Sequence, residues 1–209
     1  MKKTNLILFS LLLITLSSFA QTSVNDQLNP LITGVPSLTI TPDARAGGMG
    51  DVGAATTPDM NSQYWNPAKY SFMTSPAGLS FSFTPWLRSL GINDINLSYL
   101  TGYWKFDDLQ SVSGSLRYFS LGSVRLTDEQ GNDLNMDAQP NELALDVSYS
   151  RLLSDNWSAA VGFRYIRSDL NNGANGAGGI EMFPGNAFAA DIATYYKTPI
   201  SMATGDANL

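Results

Sequence analysis

The sequence from residue 78 to residue 197 repeats one unit six times: a run of about ten residues in which apolar side chains alternate with small or polar ones, followed by a turn. The fifth run shows the pattern best, because Val161 and Phe163 fall on one face and Gly162 falls on the other. Successive side chains of a β-strand point to opposite faces of its sheet. The repeat therefore predicts an all-β fold of antiparallel strands, each with one apolar face.

The connections between the predicted strands alternate between short and long. Residues 107–108 and 154–156 make short turns, whereas residues 122–141 and 170–185 make long loops. Short periplasmic turns and long external loops are typical of transmembrane β-barrels, while a soluble sandwich, the alternative fold, has no reason to alternate in this way. The loop lengths therefore favour a barrel. The strands are predicted at residues 78–86, 94–106, 109–121, 142–153, 157–168 and 186–197.

In a membrane-embedded barrel, the alternation assigns one side of each strand to lipid and the other to the lumen. A charged side chain at the bilayer midplane costs about 2 to 4 kcal/mol, so the charged positions are predicted to face inward. Three tryptophans, Trp86, Trp104 and Trp157, fall at strand ends, where an aromatic girdle is expected. The residues predicted to face lipid include Ile95, Leu97, Tyr99, Tyr103, Leu143, Leu145, Val147, Tyr149, Trp157, Ala159, Val161, Phe163, Tyr165, Phe188, Ala190, Ile192 and Tyr196. Those predicted to face the lumen include Asn96, Ser98, Arg117, Asp146, Ser148, Ser150, Arg164 and Asp191.

The N-terminus has the features of a signal peptide. Lys2 and Lys3 precede an apolar stretch at residues 6–16, and residues 18–20 include small residues suited to cleavage. The apolar stretch is about half the roughly 20 residues that a membrane-spanning helix needs. We therefore predict export across an inner membrane, with residues 1–20 removed.

Composition excludes several classes of function. Charged residues make up 14% of the chain and the net charge is −6, so a polyanion such as nucleic acid is not an expected partner. The chain has no His and no Cys, which excludes a Ser-His-Asp triad, a Cys nucleophile and an imidazole-ligated zinc. Asp107 and Asp108 are interpreted as solvated turn residues and not as an acid/base pair. The sequence predicts no catalytic residue, cofactor or metal.

The loop at residues 122–141 offers the one arrangement of oxygen ligands that resembles a metal site. Asp128, Asp133 and Asp137 could supply oxygens to Ca²⁺, but their spacing misses the pattern of known calcium loops. A solvated acidic loop is the preferred interpretation. Gly131 and the Asn that follows it suit the tip of a small hairpin within this loop.

Residues 21–77 have no sustained alternation and differ from the predicted strands. Residues 48–53 match the G-x-G-x-x-G pattern, which binds a dinucleotide when a strand precedes it and a helix follows. Pro42 interrupts the approach and Pro58 breaks any helix beyond, so this function is not predicted. The glycines are instead expected to allow close packing and positive φ angles in a compact plug.

Two stretches of this segment resemble the N-terminal hatch of the FadL-like outer-membrane barrels. In that superfamily a Gly-rich stretch and an Asn-Pro-Ala step lead into the first strand; here they are residues 44–50 and 64–68. The hatch motif residues are Gly47, Gly48, Gly50, Asn66 and Pro67. The stretches FTPWLR at residues 83–88 and NLSYLTGY at residues 96–103 are similar to the PorV family, outer-membrane components of the Bacteroidetes type IX secretion system.

The resemblance implies a non-catalytic, FadL-like barrel of fourteen strands in the outer membrane. Proteins of this kind take cargo with C-terminal sorting domains from the secretion translocon and deliver it to a sortase-containing attachment complex. Trp86 and Leu87 are candidate partner-binding residues, with the girdle as their alternative role. Six strands are too few for such a barrel, so the chain is expected to be an N-terminal fragment; a six-stranded protomer that closes by oligomerising is the alternative. The predicted segments are the signal peptide (1–20), the hatch (21–77) and the first six strands of the barrel, in contact with lipid (78–209).

Two other functions remain open at this point. The hatch residues Asn66 and Pro67 are equally compatible with a FadL-type transporter of hydrophobic small molecules. A structural or adhesive surface barrel, whose loops bind nothing specific, is the third hypothesis.

Overall fold

A computed structural model describes residues 34–127, 131–170, 184–202 and 205–208. The predicted signal peptide, the first part of the predicted hatch and most of the long loop at residues 170–185 lie outside the described residues. Among the residues described, no helix is long and apolar enough to cross a membrane.

The described residues form antiparallel β-sheets with a few short helices. The largest sheet has six strands in the order β1-β2-β3-β6-β7-β8, and each strand pairs antiparallel with its neighbour. The strands β4 and β5 form one hairpin, and β9 and β10 form another. In chain order the strands are β1 (Ala77–Pro85), β2 (Ile95–Lys105), β3 (Gln110–Leu121), β4 (Val124–Thr127), β5 (Asp133–Ala138), β6 (Asn141–Ser154), β7 (Trp157–Asp169), β8 (Gly185–Tyr196), β9 (Pro199–Met202) and β10 (Gly205–Asn208).

The six strands of the large sheet confirm the six predicted runs. Every boundary agrees to within one residue, since the period-two pattern breaks where each strand ends. The hairpin predicted within residues 122–141 is confirmed as well: β4 and β5 pair antiparallel, and Gly131 before β5 has φ +83°. Arg125 of β4 contacts Asp133 at 3.1 Å and Asp137 at 3.6 Å. Asp133 and Asp137 therefore pair with an arginine, whereas Asp128, the third acidic residue of the candidate calcium group, lies outside the described residues.

The short turn between β2 and β3 is stabilised by Asp107. Its carboxylate accepts hydrogen bonds from the Leu109 amide and the Gln110 side chain, each at 2.8 Å. The Leu109 amide lowers the pKa of the exposed Asp107 carboxyl, because it stabilises the charged form. Asp107 is thus a turn-capping residue, as the sequence predicts.

Residues 34–76, which we call the N-terminal segment, lie against one face of the six-stranded sheet. We call this the inner face and its opposite the outer face. The segment contains two short α-helices, α1 (Ala44–Gly48) and α2 (Ser62–Trp65), and the 3-10 helices Pro36–Thr39 and Pro67–Phe72. Asp43 caps α1 by accepting a hydrogen bond from the Ala46 amide at 2.8 Å.

The two faces of the sheet have opposite chemistry. The inner face carries polar side chains that are nevertheless buried, since the N-terminal segment covers them. They include Thr101, Ser111, Ser113, Ser115, Arg117, Glu142, Asp146, Ser148, Ser150 and Ser158. The outer face carries large apolar side chains that are exposed. They include Leu79, Phe81, Phe83, Leu100, Trp104, Leu116, Leu145, Val147, Trp157, Val161, Phe163, Phe188, Ile192 and Tyr196.

The predicted assignment of side chains to faces is correct for β6, β7 and β8 and wrong for β2. In β2, Leu97 and Tyr99 lie on the inner face, opposite Phe119 and Arg117 of β3. Both are only 1% exposed. Ile95 and Tyr103 share their face, and the predicted lumen residues Asn96 and Ser98 lie on the outer one.

The physical reason is that the inner face of β2 packs against apolar parts of the N-terminal segment. The rings of Tyr103 and Tyr70 stack with their centroids 4.8 Å apart. Leu100 and Trp104 meanwhile make the outer face of β2 apolar too. Because both faces carry large apolar side chains, alternation alone does not identify the outer one.

Candidate functional site

The contact between the N-terminal segment and the inner face combines ring packing with hydrogen bonds between buried polar groups. Gln63 of α2 donates from its side-chain amide to Ser148 of β6 at 2.8 Å, and its oxygen accepts from Ser113 of β3 at 2.6 Å. One buried glutamine therefore joins two strands of the sheet to the segment. Buried polar groups of this kind are satisfied only in one arrangement, which gives the contact specificity.

The predicted hatch residues Asn66 and Pro67 lie at this contact. Pro67 begins the 3-10 helix, and Asn66 caps it by accepting from the Ala68 amide at 3.1 Å. The Asn66 side-chain nitrogen donates to the Ala54 carbonyl at 3.1 Å and to the Thr194 carbonyl of β8 at 2.9 Å. Asn66 thus stabilises its own helix, an upstream turn and the far strand of the sheet together.

The predicted hatch glycines, Gly47, Gly48 and Gly50, lie at the end of α1 and just after it, and all three are exposed. Gly47 and Gly48 end α1, and a Cβ on either would meet nothing within 4 Å. Close packing is therefore not the reason for these two glycines, although Gly53 of the same stretch confirms the expected close approach. Gly50 has φ +79°, which confirms the expected positive φ. A dinucleotide site would need a helix directly after the glycine motif, and residues 51–61 contain none.

The close approach in this region is made by Gly53. A Cβ at this position would lie 2.3 Å from Cγ of Trp65, so the indole ring rests directly on the glycine backbone. Gly53 also accepts, through its carbonyl, a 2.7 Å hydrogen bond from the Lys69 ammonium. Lys69 is fully buried, and burial lowers the pKa of its ammonium. Its second partner is the Thr56 hydroxyl at 3.2 Å.

The centre of the contact is Tyr70, which has no exposed surface. Its hydroxyl donates to the Met60 carbonyl at 2.8 Å and accepts from the Gln63 amide at 2.9 Å. Ser158 of β7 donates to the Ala68 carbonyl at 2.7 Å. The segment is therefore bonded to the sheet along several strands.

A cavity of about 260 Å³ lies between α2 and the strands β6 to β8. Its wall is mostly polar and includes Gln63, Asp146, Ser148, Arg164 and Asp191. The Arg164 side chain donates to Asp146, which also accepts from Ser115 at 3.0 Å. Since Asp146 is held by an arginine and a hydroxyl, this cavity offers polar contacts and not an acid/base pair.

Trp86 and Leu87, the candidate partner-binding residues, follow β1 at the end of the sheet that carries the β4–β5 hairpin. The Trp86 ring meets that of Phe119 edge to face at 6.1 Å. Leu87 is 44% exposed and has φ +53°, a conformation unusual for a leucine. Asp94 holds this turn in place by accepting a 2.7 Å hydrogen bond from the Ser123 amide. The turn thus presents apolar side chains from a fixed backbone.

A comparison with known protein families identifies the chain. Residues 22–204 match the family described as type IX secretion system protein PorV. The chain belongs to the PorV family. The resemblance seen in the stretches at residues 83–88 and 96–103 is therefore confirmed, and a PorV protein is a component of the type IX secretion system. No curated protein sequence matches the chain significantly.

Sequence reasoning missed several residues on which this PorV-family fold depends. Gln63, Lys69, Tyr70 and Glu142 are all buried at the contact, and none stands out in the sequence. Lys69 directly follows the Asn-Pro-Ala step, and a charged residue there is the one signal that could have drawn attention to it. Arg117 was correctly predicted to lie on the inner face, but its partners lie about 80 residues away in the sequence and were not predictable.

Proposed function

We propose that this PorV-family chain contributes six strands to the wall of a FadL-like outer-membrane β-barrel of fourteen strands, with the N-terminal segment as a hatch inside it. The observation that carries the proposal is the reversal of the usual burial pattern, in which the apolar face is exposed and the polar face is covered. In water, an apolar surface of this extent would be a strong liability for aggregation. In a bilayer, lipid chains cover the outer face and stabilise it.

The tryptophans support this placement. Trp104 and Trp157 lie at the short-turn end of the outer face and are 61% and 46% exposed. An aromatic girdle at the membrane interface has this position. We propose that export removes residues 1–20, that the short turns face the periplasm and that the β4–β5 hairpin faces the exterior.

Cysteine labelling tests the orientation in a chain that has no cysteine of its own. We expect an impermeant maleimide on intact cells to label Gln139→Cys, near the β4–β5 hairpin, and to spare Asp155→Cys, in the short turn between β6 and β7. Both positions are exposed, so a difference reports sidedness and not burial. Labelling of position 155 with protection of position 139 would reverse the orientation.

We further propose that the protein is a non-catalytic carrier. It binds secreted cargo that has a C-terminal sorting domain, receives it from the translocon and delivers it to the sortase-containing attachment complex. Membership of a secretion-system family supports this role. The absence of His and Cys from the sequence, together with an interior built from hydrogen bonds and ion pairs, suits binding better than chemistry.

The turn that follows β1 is the proposed anchor for a partner. Trp86 and Leu87 are joined there by Leu90, which is 72% exposed. Apolar side chains on a fixed backbone bind a partner with little loss of conformational entropy. The girdle suits Trp86 less well than Trp104 and Trp157, because the Trp86 ring packs against Phe119 of the inner face.

Deletion of the gene for the full protein tests the carrier role. We expect proteins with C-terminal sorting domains to accumulate in the periplasm, or to be released with the domain uncleaved, as measured by cell fractionation and immunoblotting. Complementation with the wild-type gene should restore maturation, and the Leu87→Asp variant should restore it less well if this turn binds the partner. Reduced uptake of long-chain fatty acids with normal cargo maturation would instead establish the transporter.

A further inference from the structure

The N-terminal segment is held in two parts of unequal strength. Residues 34–41, which we call the strap, have a single buried residue, Ser37. Residues 62–71, which we call the base, include Ser62, Ala68 and Lys69, none of which has any exposed surface. Detaching the strap therefore removes far less buried surface from the fold than detaching the base.

Two buried side chains of opposite charge hold the strap, and both bind the main chain around Ser37. The Glu142 carboxylate of β6 accepts from the Ser37 amide at 3.0 Å. The Arg117 guanidinium of β3 donates to the Ser37 carbonyl, and to the Ile40 carbonyl at 2.9 Å. A further bond runs from the Tyr64 hydroxyl to the Leu38 carbonyl at 3.1 Å.

Each of the two charges keeps an unused polar atom while it holds the strap. Nη2 of Arg117 and Oε1 of Glu142 are buried and have no hydrogen-bond partner in the described structure. Arg117 and Glu142 are 2% and 1% exposed, so their charges are shielded from water. Buried charges left incompletely paired destabilise the arrangement that contains them.

The same two side chains are placed to bind each other when the strap is absent. Arg117 lies opposite Ala144 in the register of β3 and β6, and Glu142 lies opposite Phe119. Arg117 and Glu142 are therefore diagonal neighbours on the inner face, a spacing that long side chains can span. The rings of Tyr64 and Tyr99 flank the guanidinium, with their centroids 4.7 and 5.4 Å from its carbon, so the cation keeps favourable contacts in either arrangement.

We propose that Arg117 and Glu142 form a releasable latch with two states. In the closed state they bind the main chain of the strap at Ser37. In the open state they pair with each other, and the strap leaves the inner face while the base stays bound. The latch thereby gives the fold a movable element whose opening uncovers the inner face between β3 and β6 without unfolding the sheet. The latch is inferred from contacts within the chain alone, so it does not depend on the proposed role as a cargo carrier.

Labelling of single cysteines in the purified full-length protein in detergent tests the latch. Ser37→Cys places a thiol in the strap without touching the main-chain bonds, and Ala68→Cys places one in the base. Each cysteine is also introduced into a double variant, Arg117→Glu with Glu142→Arg, in which the two charges are exchanged. The exchanged protein gives the decisive comparison. The double variant keeps a pair of opposite charges for folding but presents a carboxylate to the Ser37 carbonyl and a guanidinium to its amide.

We expect the exchange to raise the maleimide labelling rate of the Ser37→Cys thiol about tenfold or more, because hydrogen bonds to charged groups are among the strongest in proteins. The Ala68→Cys thiol should remain protected in the same background. Arg117→Met alone should also accelerate labelling at position 37, since it removes the donor to two carbonyls. An unchanged rate at position 37 in the exchanged protein would overturn the latch. Equal acceleration at position 68 would also overturn it, because the strap and the base would then open as one unit.

Discussion

An arginine at position 190 is expected to lower the free energy of unfolding in a bilayer by about 2 to 4 kcal/mol, because this position points to lipid in the proposed barrel. Ala190 lies on the outer face of β8, opposite Phe163 of β7. A guanidinium there would have to lose its hydration or distort the bilayer. The measurement is a denaturant titration of the protein folded into phospholipid vesicles.

The neighbouring alanine supplies the matched control. Ala189 lies on the inner face, opposite Arg164, and is exposed. Arg164 is already paired with Asp146, and Asp191 lies two residues further along the same face, so the remaining charge favours a further cation. Ala189→Arg is therefore expected to cost less than about 1 kcal/mol, a typical effect of an exposed substitution. If the two variants were equally destabilised, the outer face would not be in contact with lipid.

Replacement of Tyr70 by alanine is expected to cost about 3 to 5 kcal/mol, the usual range for removing a buried aromatic side chain. Tyr70 has no exposed surface, and its ring stacks on Tyr103 of β2. The substitution would leave a cavity at the centre of the contact between the N-terminal segment and the sheet. The same vesicle titration measures the loss, and faster labelling of Ala68→Cys would show that the base has loosened.

Tyr70→Phe separates the ring from its hydroxyl. This variant keeps the stacking but leaves the Gln63 amide and the Met60 carbonyl unpaired, so a smaller loss of about 1 to 3 kcal/mol is expected. Burial raises the pKa of the Tyr70 hydroxyl, so the unfolded chain ionises first as the pH rises past about 10. The stability that this group contributes is therefore complete below that pH and is lost above it. If the wild-type protein and Tyr70→Phe lost stability in the same way as the pH rises above about 10, this assignment would be contradicted.

The strands could be predicted from the sequence because each needs only local information. Alternation marks where a strand begins and ends, and the short turns at residues 107–108 and 154–156 fix which strands are neighbours. The inward placement of Asp146 and Arg164 followed from the cost of a charge in lipid, and the two side chains bind each other on the inner face.

The faces of β2 could not be predicted, because they depend on a distant segment. In the sequence, Tyr99 and Tyr103 fit the pattern of lipid-facing residues, but in the structure the N-terminal segment covers both. The same holds for Gln63 and Glu142, whose roles depend on partners far away in the sequence. Alternation describes one strand at a time, whereas the site arises from contacts across the whole sheet.

The hydrogen bond from Asn66 to Thr194 joins residues separated by 128 positions, and it has a consequence for the order of assembly. Each strand can pair with its predecessor as soon as it emerges, since consecutive hairpins have low contact order. The N-terminal segment, although it is synthesised first, must wait for β7 and β8 before Ala68 and Asn66 find their partners. The buried polar groups of this segment therefore stay unpaired until the last two strands of the sheet have formed, so the segment is expected to dock late in assembly.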